Sequence, residues 1–470
     1  MKDKKNIILA KTIRDESELF VPLGLLYIAG ALEKAGYNCI IWHERERKLP
    51  QLYELVKEVS PIFVGFSSLT GPDLLPTIKA SRVIRKMSIP VVWGGVHVSV
   101  LPEFCLRQDY IDFVIVGEGE EAIVELAEAL TKRVNYCDIK GLGYKVDGRI
   151  FINPLRSLIK NLDNYFPLWE KIDLKRYYQR LISQERVLPI VTSRGCPHKC
   201  GFCYNQTVNR QIWRKHSIDF VVSQVKFLQE KYVIDGIYFY DDNFFTNVER
   251  AKKIIELVNL PYFAEIRADY LTGDLVKWLG STKCRELYIG AESGSGRILE
   301  KIDKNLEVED IKLATRLLSE TKITISLSFI TGFPGEEKED TIKTLELMKE
   351  LQEMSPTVRT PLKAFTPYPG IPLWEDAIVH GFLPPQNNEE WAKYTRENSQ
   401  LPWLSKWQLL AMQIVTSYMA NDFAGCYWRK IIQTFMKWRW EKKFFRFPVE
   451  VIIGRKILSL CRKLIFYLTT

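Results

Sequence analysis

The sequence predicts an α/β protein in three parts: a doubly wound parallel sheet, a partial (β/α)6 barrel and a helical C-terminal region. Three observations predict it. Short β-rich apolar runs alternate with helical patterns up to about Leu130, a second rhythm of six βα units runs from Val187 to about Thr366, and the pattern after the Pro-rich stretch Pro361 to Pro385 turns helical and Trp-rich. With 470 residues, 46% apolar and 12% aromatic, the chain can bury two or three cores, and no bias marks disorder or repeats. The expected boundaries are 1–134 for the sheet domain, 135–186 for a connector, 187–372 for the barrel and 373–470 for the helical part.

In the first part, Asn6 to Ala10, Asn38 to His43, Ile62 to Ser67, Pro90 to Trp93 and Phe113 to Val116 read as buried strands. After Pro22, GLLYIAGALEKAG has apolar residues at helical spacing and stops at Gly36, where glycine takes left-handed geometry cheaply. The stretch 135–185 has weaker periodicity, with a turn at Asp147-Gly148, and reads as a connector. Barrel strands are expected at Val187 to Thr192, Gly236 to Tyr240, Phe263 to Arg267, Glu286 to Ile289, Thr324 to Ile330 and Thr360 to Phe365, with helices such as Asp219 to Lys231 and Lys338 to Glu353 between them. In such folds chemistry sits at the C-terminal ends of the strands.

Charge and cysteines narrow the class. The formal charge is +9, yet residues 421–470 hold eleven Lys and Arg against Asp422, Glu441 and Glu450, so this tail alone carries 11 − 3 = +8. A uniformly basic nucleic-acid binder would look different, and no nucleic acid is expected. The start MKDKKNIILA makes a poor signal peptide, because its apolar run is one strand long and meets charge at Lys11; a cytoplasmic, reducing location is expected. Of nine cysteines three cluster within eight residues and six are scattered, which fits a metal site better than a disulfide framework.

The cluster lies after the first barrel strand, in TSRGCPHKCGFCYN. Its CxxxCxxC spacing lets Cys196, Cys200 and Cys203 fix three irons of a [4Fe-4S] cluster and leave the fourth open to a chelating molecule. The rival is a zinc knuckle with His198 as fourth ligand, although zinc sites usually separate two close pairs by a longer stretch. CxxxCxxC with the aromatic Phe202 before its last cysteine, at the exit of the first strand of six βα units, resembles the radical S-adenosylmethionine (SAM) superfamily over roughly Val187 to Pro372. The resemblance implies a TIM-type barrel in which the free iron takes the amino and carboxylate groups of SAM, whose cleavage yields a 5′-deoxyadenosyl radical. It further implies that Asp241, Asp242 and Asn243 in YFYDDNFF face the methionine amino group. Arg267, and Glu292 in GAESGS, would face the methionine carboxylate and the ribose. TGFPGE (Thr331 to Glu336) and TPYPGIP (Thr366 to Pro372) resemble the loops after the fifth and sixth strands. Taken alone, an Asp-Asp-Asn is more often a helix cap and a Gly-Pro loop a turn.

The front domain carries PLGLLYIAGALEKAGY, GFSSLTGP, WGGVHVSVLPE and VGEGEEA in that order. A Rossmann-like domain so marked, ahead of such a barrel, resembles the cobalamin-binding radical SAM enzymes. Small residues at strand ends, Gly65, Ser67, Ser68, Gly71, Gly94, Gly95, Gly117 and Gly119, would let a large flat corrin approach the backbone. Gly117 to Glu120 opens a helix whose amides suit a phosphate, or Glu118 and Glu120 complement that helix's dipole. No DxHxxG occurs, so cobalt is expected to lack a protein imidazole. His97 either touches the corrin or serves as a packing and hydrogen-bonding residue. An empty flavodoxin-like scaffold is the alternative for the whole domain.

Beyond Trp428 the chain reads WRKIIQTFMKWRW, and beyond Pro448 VEVIIGRKILSLCRKLIFYL, where Arg455, Lys456, Arg462 and Lys463 oppose Ile453, Ile457, Leu460 and Leu464 on a helix. Charges interrupt it too often for a membrane span. Peripheral contact with the anionic inner membrane face and packing on the barrel are both consistent with it. The resemblance implies an oxygen-sensitive, anaerobic enzyme: a cobalamin-dependent methyltransferase acting on an unactivated carbon of a small molecule or lipid, reduced by an external flavodoxin- or ferredoxin-type donor. A radical cyclase or rearrangement enzyme of the same family is the alternative, and a non-catalytic cobalamin or redox sensor the alternative from another class. A methylthiotransferase fits less well, since those carry a different, cysteine-bearing front domain.

Overall fold

The computed structural model describes residues 5–181, 183–394, 401–419, 434 and 437–444. Five parallel strands, β1 (Asn6–Ile13), β2 (Asn38–Arg45), β3 (Val64–Ser67), β4 (Val91–Gly94) and β5 (Phe113–Ile115), run in the order β2-β1-β3-β4-β5. Period-two alternation builds two cores from one sheet. Ile7 and Leu9 pack with the helices Leu23–Lys34 and Glu120–Lys132, while Ile8 and Ala10 pack with Leu49–Val59 and Leu74–Lys86. The strand order reverses at β1 and β3, which opens a crevice at the C-terminal strand ends.

The expected connector is partly wrong. β6 (Leu142–Val146) and β7 (Arg149–Ile152) form a hairpin that adds two antiparallel strands to β5, so the front sheet runs to residue 152 rather than ending at 134. Its turn was legible: Asp147 and Gly148 both have positive φ, 48° and 76°, as a two-residue hairpin requires.

The second sheet runs β8 (Gln179–Leu181), β9 (Gln184–Ile190), β12 (Gly236–Phe239), β13 (Tyr262–Ile266), β14 (Cys284–Glu292), β15 (Thr324–Thr331) and β16 (Val358–Arg359), with β17 (Leu362–Ala364) also on β15. A small ladder of β10 (Ser193–Arg194) and β11 (Arg214–Lys215) lies outside it. From β9 onward the strands are parallel, and all six expected βα units are present in an open half-barrel. Outward residues, among them Ile237, Phe239, Ala264, Ile266, Leu287, Ile289, Ile325 and Leu327, are buried in the largest core. Their alternates face the lumen and are largely polar.

The C-terminal region is helical where described, at Trp374–Val379, Asn388–Trp391 and Lys406–Met419. It does more than follow the barrel. Trp391 and Ala392 join the core of the front domain, and Arg82 bonds Glu389 at 2.6 Å. Most of the basic tail lies outside the described residues; within them, Lys443 pairs with Glu346 of the barrel at 2.9 Å. No helix among the described residues is long and apolar enough to cross a membrane.

Candidate radical and cobalamin site

The cysteine loop leaves β10 through Gly195, whose φ is +86° and whose backbone lies so close to the Ile212 carbonyl that a Cβ would collide with it. The loop is then pinned from both sides. Asn205 Nδ2 donates to the Cys196 carbonyl at 2.6 Å, Gln206 Nε2 to the Lys199 carbonyl at 2.6 Å, and Gly201 bonds Ile302 and Leu373 through its amide and carbonyl. All three cysteines are free thiols, and burial pushes Cys203 up to about 12. His198 Nε2 lies 3.1 Å from the Tyr270 hydroxyl. Among the described residues no three His, Cys, Asp or Glu side chains gather as they would about a single ion. Thiols that each hold a separate iron need not, so the donor set fits a cluster.

At the strand ends the structure separates residues that the sequence groups. Asp242 is exposed although protein surrounds it, as for a side chain lining a cleft; burial raises its carboxyl, and one hydrogen bond from the Gly195 amide, at 3.1 Å, opposes that. Asn243 is buried, lies close enough to the Tyr270 hydroxyl to favour its ionised form, and makes no hydrogen bond of good geometry through either carboxamide atom. Asp241 is a correction. It points the opposite way, accepting from the Thr192 amide and hydroxyl at 2.6 and 2.5 Å and from Ser193 Oγ at 2.8 Å, so it holds the wall together and does not face a cofactor.

Arg267 is buried and bonds Asp269 and the carbonyls of Lys304 and Asn305, yet its Nη1 has no partner. Arg267 Nη1 is a buried donor that a bound carboxylate would satisfy, and Asn243 Oδ1 a buried acceptor that a bound amino group would satisfy, so the strand ends fit SAM. Glu292 sits at a bulge with φ 62°, and Lys304 Nζ donates to it at 2.9 Å. Gly290 leaves room for this pair, since a Cβ there would press on both the carboxylate and the ammonium and shift them. Lys304 escaped the sequence reading: burial would lower its pKa, but Glu292 and Cys200 outweigh that, and its ammonium lies 5.8 Å from the Phe202 ring. The TGFPGE loop is organised by Glu336, which accepts from the Phe333 amide at 3.0 Å and the Thr341 hydroxyl at 3.0 Å.

In the front domain the small residues divide. Gly94 and Gly117 adjoin open space, Ser67 is half-buried, and Leu69 beside it is exposed, which leaves a shallow cradle at the sheet edge that suits a flat ring. Gly71, Gly95 and Gly119 instead pack closely on Tyr394, Ser68 and Ile28, and Ser68 Oγ donates to the Gly94 carbonyl at 2.8 Å. For His97 the packing and hydrogen-bonding alternative holds, and for Glu118 the cofactor-facing expectation is corrected. His97 is fully buried, Nδ1 2.9 Å from Thr70 Oγ1 and Nε2 3.2 Å from Asn388 Oδ1, with burial pulling its pKa to about 4; one nitrogen is taken up within the front domain and the other by the C-terminal segment. Glu118 is not turned to a ligand either. It accepts from Arg194 at 2.8 Å, from Arg214 at 2.8 Å and from the Ile159 amide at 2.7 Å; burial would raise its carboxyl, but the two arginines hold it below its ordinary value.

That ion pair joins the domains. Arg194, two residues before Cys196, also bonds Glu120 at 2.6 Å, and Thr207 of the cysteine loop's helix bonds the Gly370 carbonyl beside Val100 of the front domain. The loop ends of the front sheet therefore meet the cysteine loop.

Comparison with known proteins agrees with this layout. Residues 17–127 match the family described as B12 binding domain, and residues 190–348 match the Radical SAM superfamily. An uncharacterized methyltransferase of Pyrococcus horikoshii is 32% identical, over 80% of this chain and 81% of its own length. An anaerobic magnesium-protoporphyrin IX monomethyl ester cyclase of Cereibacter sphaeroides is 24% identical, over 87% of this chain and 68% of its own. The radical SAM methyltransferase TsrM of Kitasatospora setae, solved with cobalamin and a [4Fe-4S] cluster, shares the fold at a TM-score of 0.66 and 19% identity, over 80% of this chain and 75% of that one.

Proposed function

Because the chain belongs to the radical SAM superfamily, in the branch that carries a B12-binding domain ahead of the barrel, we propose that it moves a methyl group onto an unactivated carbon of a small-molecule substrate. Its cofactors are a [4Fe-4S] cluster, SAM and cobalamin. The observation that carries the reading is the meeting of the two loop clusters at Arg194, Glu118 and Glu120. When bound, these groups supply a 5′-deoxyadenosyl radical and a transferable methyl. Cys196, Cys200 and Cys203 would hold three irons, and Gly94, Gly117 and Ser67 would border the corrin. Asp242, Asn243 and Arg267 receive the polar end of SAM, whose amino group Asp242 and whose carboxylate Arg267 complement. Glu292 and Lys304 neutralise one another beside them, so that neither brings an unpaired buried charge to the site. Electrons come from an external flavodoxin- or ferredoxin-type donor. The excess positive charge of residues 421–470 supports peripheral contact with an anionic membrane face.

The test is to incubate the reconstituted protein with reductant and SAM carrying a CD3 methyl group. S-adenosylhomocysteine should accumulate, with the label recovered on the corrinoid fraction. Formation of 5′-deoxyadenosine with all label retained in methionine would favour the cyclase or rearrangement reading instead.

A further inference from the structure

The pair of Lys304 and Glu292 is neutral as a whole but oriented, with its cationic end toward the cysteine loop. Lys304 lies in the turn 302–305, which follows the helix Gly296–Lys301. That turn is held from three directions. The Ile302 carbonyl accepts from the Gly201 amide at 2.7 Å, inside the cysteine motif, and the Lys304 amide donates to the Leu299 carbonyl at 3.0 Å. The Lys304 and Asn305 carbonyls accept from Arg267 Nη2 at 3.0 and 3.1 Å. Asp303 and Asn305, on either side of Lys304, have left-handed φ of 48° and 47°, a geometry that Asp and Asn tolerate better than most residues. The turn so built buries Lys304 to 6% exposure. Its ammonium donates to Glu292 at 2.9 Å, lies 5.8 Å from the centroid of the Phe202 ring, and is favoured in its charged form by Cys200. Arg267, the other buried cation that this turn touches, is bonded to Asp269 at 3.0 Å.

We propose, resting on the iron-sulfur reading above, that Lys304 tunes the cluster: its buried ammonium beside the cysteine loop raises the reduction potential, and Glu292 partly offsets it. A fixed positive charge in a poorly solvated place favours the more negative of two oxidation states. One electron from an external donor takes the cluster from 2+ to 1+ and so adds a negative charge next to that cation. Removing the cation makes the electron harder to add; removing the anion makes it easier. A pair with a structural role alone gives no such opposition, because either substitution breaks the same salt bridge.

The full chain is reconstituted anaerobically, and the electron paramagnetic resonance signal of the reduced cluster is followed through a redox titration with dithionite, without SAM. The unsubstituted protein is compared with Lys304→Met, Lys304→Arg, Glu292→Gln and the double variant Lys304→Met/Glu292→Gln. At a fixed potential the ratio of reduced to oxidised cluster should fall at least about tenfold in Lys304→Met, which for one electron is a shift of about 59 mV. It should rise in Glu292→Gln and stay near its original value in Lys304→Arg. The double variant leaves no orphaned charge, so it carries the test where Lys304→Met fails to fold; its cluster should be harder to reduce than that of Glu292→Gln. Shifts of the same sign in Lys304→Met and Glu292→Gln, a double variant that titrates with Glu292→Gln, or one potential shared by all five proteins would overturn the assignment and leave the function reading standing. An unsubstituted protein that takes up no iron would overturn both.

Discussion

Replacing Cys196, Cys200 or Cys203 by alanine, one at a time, is expected to abolish [4Fe-4S] incorporation and reduce SAM cleavage to background, whereas Cys284→Ala keeps both. Each of the three thiolates fixes its own iron, and the fourth iron must stay open for SAM, so no spare ligand compensates. Cys284 is buried at the start of β14, at the opposite end of the strand from Glu292, and takes no part. Iron and sulfide content after anaerobic reconstitution, with the electron paramagnetic resonance (EPR) signal of the reduced protein and 5′-deoxyadenosine yield, check this. Stoichiometric zinc without iron in anaerobically purified protein would reject it.

The second large effect falls on the clamp. Arg194→Met leaves Glu120, whose side chain is 4% exposed, without its cation, and deprives Glu118 of one of two. Breaking a buried pair from one side costs about 3–5 kcal/mol, because the orphaned charge remains in a poorly solvated place. Glu120→Gln in the same background should recover much of that loss, since it removes the orphan. Urea unfolding of the two single variants and the double variant measures the coupling. Additive losses would mean that the clamp is not a pair.

Most of the architecture was legible because burial on both faces makes β1 to β5 read as apolar runs, while the barrel strands alternate apolar residues toward the helices with largely polar ones toward the lumen. The hairpin Leu142–Ile152 was less so. Val146, Phe151 and Ile152 are exposed, so little alternation marks the strands even though the Asp147-Gly148 turn does. Asp241 and Asp242 show what register decides: Ile237 and Phe239 face the helices, and period two carries Asp241 with them and Asp242 into the cleft. That signal was present and unused. His97 had none, because Asn388, 291 residues away, takes up one ring nitrogen. Lys304 sits in an ordinary KIDKNL segment, and only the fold brings it beneath Phe202 and against Glu292.

The central claim is that the front sheet edge and the cysteine loop open on one shared space. Pulsed EPR on protein reduced so that Co(II) cobalamin and the reduced cluster coexist tests it most directly. The arrangement around Arg194 predicts that the cluster speeds the relaxation of the Co(II) signal. Two signals that relax as independently as cobalamin and cluster loaded alone would contradict it.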